Sequence, residues 1–489
     1  MWLAQLVERN RQCFPDRTAL VDEHRSVTWT EFHDRIVRLA CGLASLGIQQ
    51  GDRIAVLSLD RIEVLETYFA LARLGALFVP LNHSLTPAEV TGIAQRTGAV
   101  AVIGESALLE RHPDLPVRLR IAVESEEFAA LGAKGGPALP EVPDGALAAI
   151  LHTSATTGQA KGVTVDHASF RAIALGWLAL VRPTDDMVLV NCCPLYHGSM
   201  VISLTYLAAG ATVVLMPGFT PQRALAAIEA NRATHIWLVP QMLRFVLQAK
   251  SRETTDLSSL REVLYGASPM PTETYAEAAE RLGCGFRQVY GMTEVGGPFV
   301  TLGPAEHPAP GSMPEVIPVG RVIPGMSVRV LGPRNDEVDP GSIGEICVRG
   351  PGVMRGYWDN EVATAEITVD GWIQTGDLGF IDRDGRIHLV DRSKDLIIRA
   401  GQNVYPTEIE RVLRTHPAVR DAAVVGVPDE DYGEVPLAYV VSEDGVGPAE
   451  LLRHVAQHLA PYKRPRRIEL IDQIPRNPAG KIIKKLLRA

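Results

Sequence analysis

The sequence has few features of a membrane protein, a nucleic-acid binder or a disulfide-rich secreted protein. The six cysteines, at positions 13, 41, 192, 193, 284 and 347, show no C-x-x-C spacing. That favours reduced, mostly buried thiols in a cytosolic protein over a disulfide framework or a zinc site. The net charge of −9 is not the basic field of a general nucleic-acid binder. We therefore expect a cytoplasmic protein with no nucleic-acid partner.

Long hydrophobic runs are scarce too. One uncharged segment, residues 197–216, approaches the length of a membrane span. Gly210 divides it into a helix-length piece and a β-branched piece, so we predict a buried helix–turn–strand and no membrane span. The first residues include the charges of Glu8, Arg9 and Arg11, which a secretory signal peptide lacks.

The length of 489 residues predicts two or more domains. Strand and helix patterns alternate over roughly the first 300 residues, which predicts parallel sheets covered by helices. Short strands and Gly-Pro or Asp-Gly turns after about residue 316 predict a small β lobe. We therefore predict an α/β fold, with a large N-terminal domain of parallel βα subdomains plus that lobe over residues 1–391. A small α+β C-terminal domain is predicted over residues 392–489.

A hydroxyl-rich loop follows an apolar run that ends at Leu151. Backbone N–H groups, hydroxyls and one ammonium can surround an anion, although the spacing is not that of a Walker A loop. Taken alone, the loop equally fits a flexible turn between a strand and a helix. It resembles the first signature of the adenylate-forming superfamily, T-S-G-[ST]-T-G-x-P-K-G, with Ala155 and Ala160 replacing a glycine and the proline. The resemblance assigns to nucleotide binding Thr153, Ser154, Thr156, Thr157, Gly158 and Lys161.

A second landmark ends a predicted strand near residue 290. An aromatic ring suits a purine, a hydroxyl suits a phosphoryl oxygen and a hard carboxylate suits Mg²⁺. The run also fits a strand end with a helix-capping threonine. In the superfamily, the equivalent Y-G-x-T-E places the ring of Tyr290 against adenine, Thr293 on the α-phosphate and Glu294 on magnesium. We assign to nucleotide binding as well Gln288, Gly291, Met292, Gly266, Ala267 and Ser268.

Two further motifs resemble parts of the superfamily that hold the ribose and join the domains. The T-G-D at residues 375–377 supplies Asp377, the acceptor for the ribose hydroxyls, although such a triplet is also a common turn. The charged run at 391–395 fits a solvated turn, but it resembles the domain-joining motif. There Arg392 lies against the ribose and Lys394 is the hinge of a mobile C-terminal domain. Gly401, preceded by Ala400 in place of a second glycine, approaches a pantetheine arm.

The run at 475–481 matches the superfamily loop that delivers a catalytic lysine, here Lys481. A cation between an attacking carboxylate and the α-phosphate offsets two like charges and stabilises the transition state. Such a run alone is commonplace near a C-terminus. Five motifs in this order make residues 1–489 resemble the stand-alone, AMP-forming acyl- and aryl-CoA synthetases.

The resemblance implies two steps in one site. A carboxylate attacks the α-phosphate of MgATP to give an acyl-adenylate, and after the C-terminal domain turns, a thiol displaces AMP. It implies ATP, Mg²⁺ and CoA as cofactors. It implies catalytic roles for Lys481, Thr293, Glu294 and Lys394, with Glu294 on the metal.

The thiol acceptor is expected to be CoA, because no carrier-protein domain follows residue 489 and the basic run at 463–467 suits the phosphates of CoA. That run equally fits a solvated basic face. A free-standing carrier protein or an amine are the alternative acceptors. The alternative from another functional class is a homologue that binds nucleotide without catalysis. The oligomeric state that we consider is a homodimer.

The acid is expected to be a small molecule with an apolar aryl or medium-chain acyl group, because no cation is evident among the residues that resemble the acyl pocket. Trp237 is interpreted as core rather than pocket. The resemblance gives His197 a gating role and no proton transfer. The assigned pocket residues are Tyr196, His197, Tyr265, Gly266, Val295 and Gly296.

Ala155 generates a prediction about the phosphate loop. If the loop needs a positive φ there, the Cβ of alanine costs about 1–2 kcal/mol, so Ala155→Gly is expected to raise the rate of adenylation. Steady-state ATP–pyrophosphate exchange measures it. Unchanged kinetics in the variant would refute the idea.

Overall fold

The computed structural model describes residues 2–131, 138–153, 160–196, 198–309, 312–314, 316–443, 445–476 and 482–488. Over that part of the chain, contacts group the residues into two units. One contains residues 1–327 and 348–373, and the other contains residues 328–347 and 374–489. The domain boundary predicted between residues 391 and 392 falls inside the second unit and stays a prediction.

Capping hydrogen bonds mark the ends of several helices. Thr86 accepts the N–H of Glu89 while the Glu89 carboxylate accepts the N–H of Thr86, which is a capping box, with Pro87 in the first turn. The helices are α1 (Trp2–Cys13), α2 (Trp29–Ser45), α3 (Ile62–Leu74), α4 (Pro87–Thr97), α5 (Ser106–Glu110), α6 (Glu126–Leu131), α7 (His167–Val181), α8 (Ser199–Ala209), α9 (Pro221–Asn231), α10 (Pro240–Gln248), α11 (Thr272–Leu282), α12 (Glu361–Glu366), α13 (Pro406–Arg414) and α14 (Pro448–His458).

The strands are short and concentrated in apolar segments. They are β1 (Thr18–Val21), β2 (Ser26–Thr28), β3 (Arg53–Leu57), β4 (Leu77–Pro80), β5 (Ala101–Gly104), β6 (Leu119–Ala122), β7 (Leu147–His152), β8 (Gly162–Asp166), β9 (Val188–Asn191), β10 (Thr212–Leu215), β11 (His235–Leu238), β12 (Glu262–Gly266), β13 (Gly285–Met292), β14 (Gly297–Leu302), β15 (Arg321–Val322), β16 (Ser327–Leu331), β17 (Gly344–Arg349), β18 (Gly356–Tyr357), β19 (Thr368–Val369), β20 (Trp372–Ile381), β21 (Ile387–Arg392), β22 (Ile397–Arg399), β23 (Gln402–Val404), β24 (Val419–Asp429), β25 (Gly433–Ser442) and β26 (Arg467–Leu470).

The first unit is built on two largely parallel sheets. Among the described residues, one sheet has nine strands in the order β15–β14–β13–β12–β11–β9–β10–β1–β2. The other has seven, in the order β18–β8–β7–β4–β3–β5–β6. Buried apolar side chains from strands and helices together form their cores. The predicted α/β fold is confirmed.

The hydroxyl-rich loop joins two strands rather than a strand and a helix. β7 and β8 pair antiparallel, with His152 opposite Gly162, and α7 starts only after β8. A short connection is compatible with an antiparallel pair, whereas a parallel pair needs a long crossover. The interpretation of this loop as a turn between a strand and a helix was therefore wrong, because β8 lies between the loop and α7.

The uncharged segment 197–216 folds as predicted in the part that the structure describes. Helix α8 ends at Gly210, whose φ of 87° is left-handed, and β10 follows at once. No helix among the described residues has the length and apolarity that a membrane crossing requires.

The second unit contains the small α+β fold. β24 and β25 form a long antiparallel pair, β26 adds to β25 in parallel, and β22 and β23 complete the sheet. Buried residues of α13 and α14, among them Ile409, Leu413 and Leu451, cover it.

A further sheet has the order β16–β17–β20–β19, with β21 also on β20, where the small β lobe was predicted.

Asp60 connects the two sheets of the first unit. It follows β3, and its Oδ1 accepts the backbone N–H of Leu195, after β9, at 3.0 Å. The residue is 7% exposed, and burial raises the pKa of the Asp60 carboxyl to about 7. The loop that carries Tyr196 is thus fixed by a carboxyl group that titrates near neutral pH.

Asp60→Asn is expected to stabilise the protein increasingly as the pH rises. Because the folded-state pKa is raised, the stability that the protonated carboxyl provides is lost as the pH rises towards and through 7. The asparagine keeps an acceptor for Leu195 and cannot ionise. Its advantage in free energy of unfolding should grow by about 2 kcal/mol between pH 5 and pH 8.

Denaturant unfolding at both pH values measures this change. The exposed Asp114→Asn is the control, whose effect on stability should not depend on pH. An Asp60→Asn effect that is equal at pH 5 and pH 8 would contradict the assignment.

Candidate functional site

The end of β13 carries several of the assigned residues. Gln288 and Tyr290 are buried, and the ring of Tyr290 lies 5.1 Å from that of Phe299. A Cβ on Gly291 would lie 2.4 Å from the carbonyl oxygen of Gly297, so only glycine fits this approach of β14. After Met292, the half-buried Thr293 and Glu294 form a short 3₁₀ turn.

The turn after β12 lies beside this one because the two strands pair in parallel, with Gly266 opposite Val289. A Cβ on Gly266 would lie 2.1 Å from the carbonyl oxygen of Val289. Ala267 is exposed and left-handed, with φ 65°, and Ser268 follows it, half-buried. The backbones of the two strand ends therefore approach each other closely at Gly266.

The ends of the hydroxyl-rich loop are held together. The N–H of Thr153 donates to the carbonyl oxygen of Lys161 at 3.1 Å. Burial lowers the pKa of the adjacent His152 imidazole to about 4, so it is neutral at pH 7. Ser154, Ala155, Thr156, Thr157 and Gly158 lie outside the described residues.

Sequence reasoning missed Tyr357, which touches two of the assigned residues. Its hydroxyl donates to Glu294 Oε1 at 2.8 Å. The ammonium of Lys161 lies 4.8 Å from the centroid of its ring. No local motif marks Tyr357, because its position depends on the antiparallel pairing of β18 with β8.

The assigned acyl-pocket residues have different environments. Tyr196 is buried with its ring 5.7 Å from that of His83, and Val295 and Gly296 are buried after the Glu294 turn. Tyr265 belongs to the core of the nine-stranded sheet, and its hydroxyl lies 2.9 Å from Nε2 of His307. The structure therefore places the Tyr265 hydroxyl in a hydrogen bond within the core. His197 lies outside the described residues.

Trp237 is 4% exposed, as its core interpretation expected. Its indole N–H has no hydrogen-bond partner among the described residues.

The second unit pairs the two residues assigned to the ribose. β20 and β21 are antiparallel with Asp377 opposite Arg392, and Arg392 Nε lies 2.7 Å from Asp377 Oδ1. Asp377 is buried, while the Arg392 side chain is 47% exposed. The turn is held by Glu345, whose Oε1 accepts the N–H of Gly376 at 3.0 Å.

The assigned hinge and pantetheine residues lie in the next exposed segments. Lys394 is exposed in a short 3₁₀ turn. Ala400 and Gly401 are both left-handed, with φ of 49° and 80°, and the N–H of Ala400 donates to the carbonyl oxygen of Tyr432 at 2.8 Å. Alanine adopts here the conformation for which glycine is usually needed.

Lys481 lies outside the described residues, and the chain on either side of it is anchored. Arg476 forms an ion pair of 2.6 Å with Asp421, and Lys484 one of 2.9 Å with Glu410. Arg476 and Ile482 also form an antiparallel bridge. These contacts fix both ends of the short run that contains the assigned lysine.

The basic run at 463–467 is largely engaged within the second unit. The Arg464 guanidinium donates to the carbonyl oxygens of Leu459 and Ala456, at the end of α14. The other three side chains form ion pairs, Lys463 with Glu408 at 2.7 Å, Arg466 with Asp429 at 2.6 Å and Arg467 with Glu469 at 2.6 Å.

The assigned residues fit a magnesium ion only if phosphate oxygens and waters supply its other ligands. No group of three or more His, Cys, Asp or Glu side chains in the described residues could hold a metal ion. Mg²⁺ bound to a nucleotide needs one or two carboxylates and keeps waters and phosphate oxygens as its other ligands. The half-buried Glu294, whose neighbour Tyr357 also contacts Lys161, meets that requirement.

Comparison with known proteins gives matches along nearly the whole chain. Residues 7–358 match the AMP-binding enzyme family, and residues 408–481 match the AMP-binding enzyme C-terminal domain. A fatty acid–[acyl-carrier-protein] ligase of Streptomyces coeruleorubidus is 37% identical over an alignment of 505 residues, which covers 99% of this chain and 96% of that protein. A feruloyl-CoA synthase of Amycolatopsis sp is 35% identical over an alignment of 489 residues, which covers 98% of this chain and 97% of that protein.

The fold is shared with solved structures as well. That of the amide bond synthetase McbA from Marinactinospora thermotolerans gives a TM-score of 0.89 at 31% identity, covering 99% of both chains. The three relatives differ in the acceptor that their names give. On its sequence motifs, its α/β fold and these matches, the chain belongs to the AMP-binding enzymes of the adenylate-forming superfamily.

Proposed function

We propose that this chain is an AMP-forming acid–thiol ligase that activates an apolar carboxylate with MgATP and transfers the acyl group to CoA. One observation carries the proposal. The Thr293–Glu294 turn lies beside the narrow Gly266 turn, and Glu294 is connected through Tyr357 to Lys161 of the hydroxyl-rich loop. A hydroxyl, a carboxylate and a cation are groups that bind the phosphates and the metal of MgATP.

The first half-reaction brings a carboxylate to an anionic phosphate. In the proposed reaction, Thr293 and Lys161 contact phosphoryl oxygens and Glu294 binds the magnesium. Lys481 neutralises the charge that develops as the carboxylate attacks the α-phosphorus and pyrophosphate leaves. Asp377 and Arg392 hold the ribose, and their ion pair supports this assignment because it keeps both groups ordered.

An aryl acid is proposed first and a medium-chain aliphatic acid second. Tyr196, Val295 and Gly296 are buried and uncharged, which suits an apolar acyl group. At the start of this loop, burial strongly raises the pKa of the Cys193 thiol, which keeps that side chain uncharged. Feruloyl-CoA synthase, the name of one relative, describes an aryl substrate of that kind.

CoA is the proposed acceptor, and a carrier protein is the second candidate because the relative at 37% identity is a carrier-protein ligase. The basic run at 463–467 adds little support for CoA, since its charges are engaged by neighbours. An amine acceptor is the third candidate. A non-catalytic nucleotide binder is the least supported alternative, because it has no use for Lys481.

The proposal is tested with purified protein and a panel of acids. Hydroxycinnamic, benzoic, indoleacetic and C6–C12 fatty acids are each incubated with MgATP, and ATP–pyrophosphate exchange is measured. Exchange with aryl acids above that with fatty acids is expected. The same panel with CoA, a phosphopantetheinylated carrier protein or an amine is analysed by mass spectrometry, and an acyl-CoA product is expected. A folded protein that binds ATP but exchanges with no acid would support the non-catalytic alternative.

Lys481→Ala is expected to lower the rate of acyl-AMP formation by at least about 100-fold, a scale typical of the loss of one transition-state electrostatic contact. ATP affinity, measured by calorimetry, should change much less. Lys485→Ala is the matched control, because this nearby lysine is exposed. Acyl-AMP formation at the native rate in Lys481→Ala would exclude the proposed role of this lysine.

A further inference from the structure

Tyr357 lies between two charged residues of the first unit. Its hydroxyl donates to one carboxylate oxygen of Glu294, at 2.8 Å, and Lys161 lies over its ring at 4.8 Å. The tyrosine is 8% exposed. Among the described residues, these two opposite charges each contact Tyr357 rather than each other.

The backbone holds Tyr357 in this place from both sides. β18 pairs with β8 so that Tyr357 is opposite Val163, and the N–H of Trp358 donates to the carbonyl oxygen of Gly162 at 2.7 Å. On the other side, the N–H of Met354 donates to the carbonyl oxygen of Glu294 at 2.9 Å. The segment 354–358 is therefore hydrogen-bonded both to the strand after the hydroxyl-rich loop and to the Glu294 turn.

The hydroxyl donates to the carboxylate, and because the acceptor is charged, this charge-assisted hydrogen bond fixes Oε1 of Glu294. Within the part of the chain that the structure describes, no hydrogen bond engages the second oxygen, Oε2, so it is open to another ligand. A carboxylate fixed in this way loses little conformational freedom when it binds a cation.

We propose that Tyr357 is a positioning residue that orients the Glu294 carboxylate to bind the magnesium of MgATP through its second oxygen. This inference rests on the proposed function for the metal role of Glu294. It goes beyond that function in assigning the orientation of the carboxylate to a side chain on a distant strand.

Tyr357→Phe tests the proposal, because it removes the hydroxyl and keeps the ring under Lys161. Calorimetry without any acid substrate measures the binding of ATP, first with excess Mg²⁺ and then with EDTA. Affinity for MgATP is expected to fall about tenfold, the effect of losing a hydrogen bond to a charged group. Affinity for ATP in EDTA is expected to stay as it is. Equal losses with and without Mg²⁺, or no loss, would overturn the proposal.

Tyr68→Phe is the matched control. This tyrosine is 1% exposed, lies in an aromatic cluster of the same unit, and its hydroxyl has no hydrogen-bond partner among the described residues. It should leave both affinities unchanged. If it weakened MgATP binding as much as Tyr357→Phe does, the effect would be one of packing and the proposal would fail.

A double-mutant cycle separates an effect on the orientation of the Glu294 carboxylate from an effect on the stability of the fold. In a Glu294→Gln background, Tyr357→Phe should no longer alter the Mg²⁺ dependence of ATP binding, because the group that it orients has lost its charge. The same tenfold effect in that background would overturn the proposal. These binding measurements need no turnover, so an absence of pyrophosphate exchange with every acid would contradict the proposed function without deciding the role of Tyr357.

Discussion

The arrangement of the first unit depends on the parallel pairing of β12 with β13. In that register, Gly266 lies opposite Val289 with no room for a Cβ, so the turns after the two strands emerge side by side. Ligands gather at the carboxyl ends of such strands because several loops meet there without a covering side chain. Glycines at positions 266 and 291 are what allow the neighbouring strands to approach so closely.

A second constraint comes from far along the sequence. The segment with Tyr357 returns to β8 and to the Glu294 turn, and it connects the hydroxyl-rich loop with the strand end of the other sheet. Asp60 does the same on another side, where a buried carboxyl group fixes the loop after β9. Both contacts are long-range and polar, so they determine geometry with few residues. Buried polar contacts of this kind rigidify a structure when their groups are paired, and an unpaired buried polar group is costly.

The sequence was sufficient for the fold class and for most elements, because apolar periodicity, capping boxes and glycine stops are local. The α/β fold is confirmed, and so is the helix–turn–strand predicted over residues 197–216, in the part of it that the structure describes. The sequence was insufficient to predict the contacts of Tyr357 and Asp60 or the strand β8, because these depend on pairing between distant parts of the chain. The roles of the assigned site residues stay predictions, Tyr265 among them, although its hydroxyl is engaged by His307 within the core. Alternation along a strand cannot decide which face borders a ligand when both faces are buried.

The contacts on either side of residues 477–481 have an evolutionary implication. Arg476 and Ile482 are bridged, and the flanking ion pairs tie this run to β24 and α13. Lengthening a closed loop is cheap, about 0.6 kcal/mol for each doubling. An inserted residue here would therefore cost folding little, and selection for folding alone would not keep this run from growing longer.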